Sequence, residues 1–217
     1  MIENTIKKMI IIGAGGHGKV VADIAKKNQY EVIGFIDDNE NKKKNGKYDV
    51  IGTIKDIDMY LNSDDDKYSN LYFFVAIGNN QMREEISKLL MKKGIIQPTL
   101  IHPSAVIDDS VSIGEGTVVM ANVVINADTN VGSACIINTS SSVDHDCIIE
   151  DYVHISPGVH IAGTVKVGKR TWIGIGTSII NNISLNEYVI IGAGSSVIKD
   201  IDDKGIYFGI PAKKNYG

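Results

Sequence analysis

The stretch NADTNVGSACIINTSSSVDHDCIIEDYVHI, residues 126–155, carries an aliphatic side chain at every sixth place: Val131, Ile137, Val143, Ile149 and Ile155. A period of six is neither the 3.6 of a helix nor the 2 of a simple strand. It suits short strands that turn at regular corners and stack their aliphatic residues on those of the preceding coil, which is a β-solenoid. Followed outward, the period runs without insertion from Ile101 to Val197, seventeen hexads in all. Four places after each aliphatic residue stands a small or branched one, as at Ala105, Val111, Thr117, Val123, Thr129, Cys135, Ser141, Cys147 and Val153. With three hexads to a coil, residues 18 apart stack, and about 4.8 Å per layer gives a prism roughly 27 Å tall. Gly114, Gly132, Gly168, Gly174 and Gly192 directly follow the aliphatic position, where a corner is expected to draw on their wider dihedral range.

Upstream of Pro98 the pattern is different, so the chain is expected to form two domains, 1–98 and 99–217. MIII (residues 9–12) reads as a buried strand, Val20, Val21 and Ile24 as a helix face, EVIGFI (31–36) and LYFFVAI (71–77) as further strands. Thr53 is placed to cap a short helix carrying Ile54, Ile57 and Leu61, and Met82, Ile86, Leu89 and Leu90 mark another helix. This is a small open α/β domain with a parallel sheet. Gly13, Gly15 and Gly18 fit G-x-G-x-x-G after the first strand, with Asp37 or Asp38 at the distance of a ribose-binding acid. Fewer than 100 residues supply one mononucleotide-binding half, too little for a hydride-transfer enzyme. One half still offers backbone amides at a helix start and an acid at a strand end.

Composition narrows the function classes. The formal net charge is -4, and the lysines of KKKNGK (42–47) lie beside Asp37, Asp38 and Glu40, so no basic field tracks nucleic acid. No apolar run approaches about 20 residues, and the start MIENTIKKMIIIGAGG lacks a signal-peptide core, which points to a cytoplasmic protein with no membrane span. Cys135 and Cys147 share the inward slot 12 residues apart, on different faces of the prism, and read as packing. No metal-ligand spacing is present.

The hexad repeat resembles the left-handed β-helix acyltransferases. The ordered set IGAGGHG (12–18), FIDD (35–38), VAIGNN (75–80), INTSSSVDHDC (137–147), VHISPGVHIAG (153–163) and FGIPAK (208–213) resembles, over nearly the whole chain, the sugar O- and N-acyltransferase family that includes the sialic acid O-acetyltransferases. Within it the chain is most similar to the bacterial UDP-4-amino-sugar N-acetyltransferases of the UDP-N-acetylbacillosamine type. The resemblance implies a Rossmann-like domain followed by a left-handed parallel β-helix, assembled as a homotrimer with acetyl-CoA bound between adjacent helices. It further implies that Gly15, Gly16, His17, Asp37, Asp38 and Gly78 hold the UDP part of an amino-sugar nucleotide.

His145 stands two places after Val143, outside both inward slots, between Asp144 and Asp146. Transfer of an acyl group to an amine needs a proton acceptor, and imidazole suits the task near neutral pH. The resemblance makes His145 the general base and Asp146 its acidic helper, although family members carry glutamate at the helper position and Asp144 is an available substitute. It also implies that His154 of a neighbouring subunit contacts acetyl-CoA; Asn138, at a corner-side position, is expected to orient the acetyl thioester or a water network, the pantetheine arm to meet backbone near Ala162 and Gly163, and Lys213 to meet a coenzyme phosphate. A backbone N–H near Ala162 and Gly163 is expected to stabilise the developing oxyanion. His102 and His160 have no acidic neighbour and read as surface or interface residues. Two other readings remain open at this point: O-acetylation of a sialic acid or related sugar, and a noncatalytic trimeric nucleotide-sugar-binding protein.

Overall fold

In the computed structural model, which describes residues 6–215, the chain separates into two compact units, one ending at Leu100 and the other beginning at Ile101. The first unit runs β1 (Lys7–Ile12), α1 (Gly16–Lys27), β2 (Tyr30–Ile36), β3 (Lys44–Asn45), β4 (Tyr48–Gly52), α2 (Ile57–Leu61), β5 (Leu71–Val75) and α3 (Asn80–Lys92). Its sheet has the order β3-β4-β2-β1-β5, with β1, β2, β4 and β5 parallel. β1 is central, and Met9 to Ile12 are accordingly buried on both faces. Chain order reverses across β1, between β2 on one side and β5 on the other, and an open α/β sheet binds ligands outside its strand ends at such a point.

Two of the motif's three glycines are demanded by packing. A Cβ on Gly18 would lie 2.3 Å from Gly13 O, so this glycine lets α1 close onto β1. Gly13 has φ +107°, and a Cβ there would lie 2.7 Å from Ala76 O. The lysine-rich segment forms the antiparallel β3–β4 hairpin, turned at Gly46 with φ +62°. Buried Asn45 of this hairpin donates through Nδ2 to Gly15 O at 3.1 Å and ties it to the glycine loop.

The second unit is the solenoid. Strands recur every six residues from Leu100–Ile101 to Ser196–Val197 and stack into three parallel sheets, each pairing residue i with residue i+18, as in Ile137 with Ile155 and Val143 with Ile161. The aliphatic positions and the slots four places on fill one continuous interior that includes Val119, Ile125, Ile137, Val143, Ile149, Ile155, Cys135 and Cys147. Polar residues in the slot close the corners from inside. Thr129 Oγ1 donates to Asp144 O (2.7 Å) and accepts from Cys147 N (3.1 Å); Thr117 does the same for Gly132 O and Cys135 N. Backbone groups buried at a corner thus find partners that the ladders cannot supply. Both cysteines remain buried thiols, with Sγ of Cys147 donating to Ala162 O at 3.3 Å. Gly205–Phe208 then adds a parallel strand on Val189–Ile191, and Lys213–Lys214 pairs back antiparallel. Among the described residues no helix is long and apolar enough to cross a membrane.

The corner glycines serve a different need from the one expected. Positive φ falls three residues after the aliphatic position, at Gly116, Gly158, Gly176 and Gly194 but also at Asp128, Ser140, Asp146, Thr164 and Arg170. The glycines immediately after the aliphatic residue are there because coils touch: a Cβ on Gly168 would lie 2.6 Å from the backbone at Asn186 and Glu187. Gly168→Ala is therefore expected to destabilise the solenoid by about 1–3 kcal/mol in denaturant unfolding. Gly158→Asn, at φ +65° with open space around the Cβ, is expected to change stability by less than about 1 kcal/mol.

Candidate active site

His145 occupies the corner that follows Ser142–Val143. The corner is held from within by Thr129, and Thr164 N donates to His145 O (2.9 Å) from the next coil. Asp146 has φ +58°, and its Oδ2 lies 2.7 Å from His145 Nδ1. A carboxylate there keeps the proton on Nδ1, leaving Nε2 with the lone pair. Asp144 is engaged elsewhere: its Oδ1 accepts from Asn126 Nδ2 (2.7 Å) and from His145 N (3.2 Å). Of the two neighbouring acids, Asp146 is the one on the ring. The hydrogen bond to Asp146 is the main influence that holds the imidazole above its usual pKa; desolvation opposes it, and the charges of Asp144 and Asp146 add to it.

Gly163 lies one coil beyond the ring. A Cβ there would stand 2.6 Å from both Cε1 and Nε2 of His145, so glycine makes the space in which the imidazole sits. Ala162 N is committed to Ile179 O at 3.0 Å. Ala162 N is therefore not a free donor, and Gly163 is the residue that lies against the ring.

Asn138 and His154 belong to a different sheet of the same prism. Asn138 Nδ2 lies 3.4 Å from His154 Nε2, and the His154 ring stacks on Trp172 with centroids 5.7 Å apart and planes 5° from parallel. Both line a cavity of about 370 Å³ whose floor is Trp172, Ile175 and Ile190, with Gly174 and Gly192 exposing backbone. Within one chain the structure therefore does not bring Asn138 and His154 to His145, nor Ala162 and Gly163 to this groove. Lys213 lines a separate cavity at the closing segment, near Lys199 and Lys214. His160 and His102 meet serines through Nδ1, Ser142 and Ser104 respectively, each at 2.8 Å.

The first unit gathers all six residues assigned to the nucleotide. Gly15, Gly16, His17, Asp37, Asp38 and Gly78 line one cavity of about 470 Å³ at the ends of β1, β2 and β5. A Cβ on Gly15, Gly16 or Gly78 would meet nothing within 4 Å, so neither packing nor positive φ requires glycine there; the bare backbone faces the cavity. The N-termini of α1 and α3 open beside it, the latter capped by Asn79, whose side chain accepts from Met82 N at 2.9 Å. Asp37 accepts from Ala14 N (2.8 Å), Asn39 N (2.9 Å) and Lys42 Nζ (3.1 Å); although burial pushes its pKa up, these bonds together hold it below the usual carboxylate range. Asp38 accepts from Ile54 N (3.0 Å). His17 is kept neutral, with a pKa of about 4, by burial and the nearby charge of Arg83. The sequence reading missed Lys42, seen only as one lysine of a run, and Arg83, whose buried guanidinium donates to Ile77 O, Gly78 O and Asn80 Oδ1 behind the cavity wall.

Among the described residues no group of three or more His, Cys, Asp or Glu is placed to hold a metal ion. In an NMR titration His145 is expected to show a midpoint above about 6.5, falling in Asp146→Asn and falling less in Asp144→Asn. Gly163→Ala is expected to displace the imidazole and abolish its bond to Asp146.

Residues 8–90 match the family model described as the PglD N-terminal domain. GDP-perosamine N-acetyltransferase of Escherichia coli O157:H7 is 32% identical over 175 residues, covering 78% of this chain and 76% of that protein. UDP-N-acetylbacillosamine N-acetyltransferase of Bacillus subtilis (strain 168) is 37% identical over 117 residues, 54% of this chain and 52% of its own, so the match spans about half of it. The acetyltransferase domain of PglB from Neisseria gonorrhoeae FA1090, solved in complex with acetyl coenzyme A, superposes with a TM-score of 0.87 at 37% identity, over 96% of this chain and 99% of that one. Similarity of this extent to both units means that the chain belongs to the sugar N-acetyltransferases of the hexapeptide-repeat, left-handed β-helix family.

Proposed function

We propose that the protein transfers acetyl from acetyl-CoA to the 4-amino group of a UDP-linked 4-amino-4,6-dideoxy sugar. The observation that carries this reading is the His145–Asp146 pair, with Nε2 directed over Gly163. The neutral amine attacks the thioester carbonyl, and His145 Nε2 takes the proton that the nitrogen loses. The Gly163 N–H donates to the oxyanion of the tetrahedral intermediate. Collapse breaks the carbon–sulfur bond, leaving the amide and the coenzyme thiolate, to which the imidazolium returns its proton. Asp146 keeps the tautomer and stabilises the cation.

The groove of Asn138, His154 and Trp172 suits a pantetheine arm, with its apolar floor and exposed glycine backbone. Because that groove and His145 lie on different sides of one prism, the complete site needs a second copy, in keeping with a homotrimer. Exposed Trp172, Ile190, Ile206 and Phe208 offer the apolar area for such contacts. In this reading Lys213, which lines the cavity at the closing segment, takes a coenzyme phosphate. The open cavity of the first unit takes the nucleotide.

A GDP-linked amino sugar is the second reading, favoured by the E. coli relative, which is named for GDP-perosamine. A panel of UDP- and GDP-linked amino sugars and free sialic acid, incubated with acetyl-CoA and scored by mass, separates these. Gain of one acetyl as an amide on a UDP sugar supports the first reading. An ester product or acetylation of sialic acid overturns N-transfer, and nucleotide-sugar binding without acetyl-CoA binding points to a noncatalytic module. His145→Ala is expected to lower kcat by about 10²–10⁴. Since His145 must be neutral to act, the acid limb of the kcat profile is expected above pH about 6.5 and to move to lower pH in Asp146→Asn.

A further inference from the structure

Lys42 is the one basic side chain, apart from neutral His17, that lines the nucleotide cavity among the described residues. It faces two acids there. It is paired to Asp37 Oδ2 at 3.1 Å, and it is 38% exposed while Asp37 is only 14% exposed. Asp37 Oδ2 also accepts from Ala14 N, a backbone donor of the glycine loop. The carboxylate thus anchors the glycine loop while lining the cavity.

These contacts pose an electrostatic problem for any nucleoside diphosphate. Two carboxylates face a group with two or more negative charges, while the other positive groups beside the cavity are the two helix N-termini, which carry about half a charge each. Arg83 is occupied by carbonyls and Asn80 behind the wall. A flexible lysine at the cavity mouth resolves it.

We infer that Lys42 exchanges partners when substrate binds, leaving Asp37 for the diphosphate, while Asp37 keeps Ala14 and accepts a ribose hydroxyl in the vacated direction. The inference rests on the nucleotide reading above. The exchange makes diphosphate and ribose recognition interdependent: a nucleoside without phosphates does not draw Lys42 away, and so does not gain full access to Asp37. Lys42 is then the residue by which the site selects diphosphates over nucleosides.

Calorimetry on the full chain with UDP, GDP, uridine and guanosine tests this, alongside acetylation kinetics. Wild type is expected to bind its preferred diphosphate at least 100-fold more tightly than the matching nucleoside. Lys42→Ala is expected to weaken the diphosphate about tenfold or more and to leave the nucleoside within about twofold or slightly tighter, since Asp37 is no longer occupied. Turnover is expected to show KM for the sugar nucleotide raised about tenfold with kcat unchanged. Lys42→Gln, which keeps a long polar stem without charge, serves if the alanine variant is unstable and is expected to behave alike. Diphosphate affinity within twofold of wild type in a folded variant overturns the role of Lys42 while leaving the nucleotide site standing. Failure of wild type to bind either diphosphate overturns the nucleotide reading, and the inference with it.

Discussion

Each coil of the solenoid lies on its neighbour with residue i beside residue i+18, because every short strand hydrogen-bonds to the strands above and below it in that register alone. A slip of one residue would turn the aliphatic column outward. This constraint governs the candidate site as well as the core. It sets Gly163 against His145, Thr129 beneath the same corner, and Trp172 against His154, pairs distant in sequence yet fixed by coil length. One inserted residue between positions 145 and 163 would bring a side chain under the imidazole.

Glycine serves two opposite ends in this chain, close packing at Gly18, Gly163 and Gly168 and an open surface at Gly15, Gly16 and Gly78. In the solenoid a missing Cβ lets another protein atom approach, whether the next coil's backbone at Gly168 or the histidine ring at Gly163. At Gly15, Gly16 and Gly78 the missing Cβ admits no protein atom at all. The same residue type therefore marks packing in one place and an open surface in the other, and only the surrounding atoms distinguish them.

Much of this was legible in the residues themselves. The hexad period specified the solenoid, the register put His145 outside the core, and strand–glycine loop–helix marked the α/β unit and its cavity. What escaped depended on contacts between distant segments. Nothing local in DHD says that Asn126, one coil earlier, engages Asp144 and leaves Asp146 to the ring. KKKNGK gave no sign that Asn45 would reach Gly15 or that Lys42 would turn toward Asp37. The glycines after the aliphatic residues suggest a need for dihedral freedom, whereas the corner takes its positive φ two places later, and even tyrosine and arginine accept it there.

A stack of identical layers has no intrinsic end, and an exposed parallel edge invites a further layer from another molecule. The closing segment answers that hazard on one sheet. Gly205–Phe208 first continues it as another parallel strand, and Lys213–Lys214 then runs back the other way, carrying two lysines on the terminal strand. An incoming coil would meet a template of reversed strand direction. Filament growth is blocked at that edge by strand direction, and a domain made of stackable parts stays finite there.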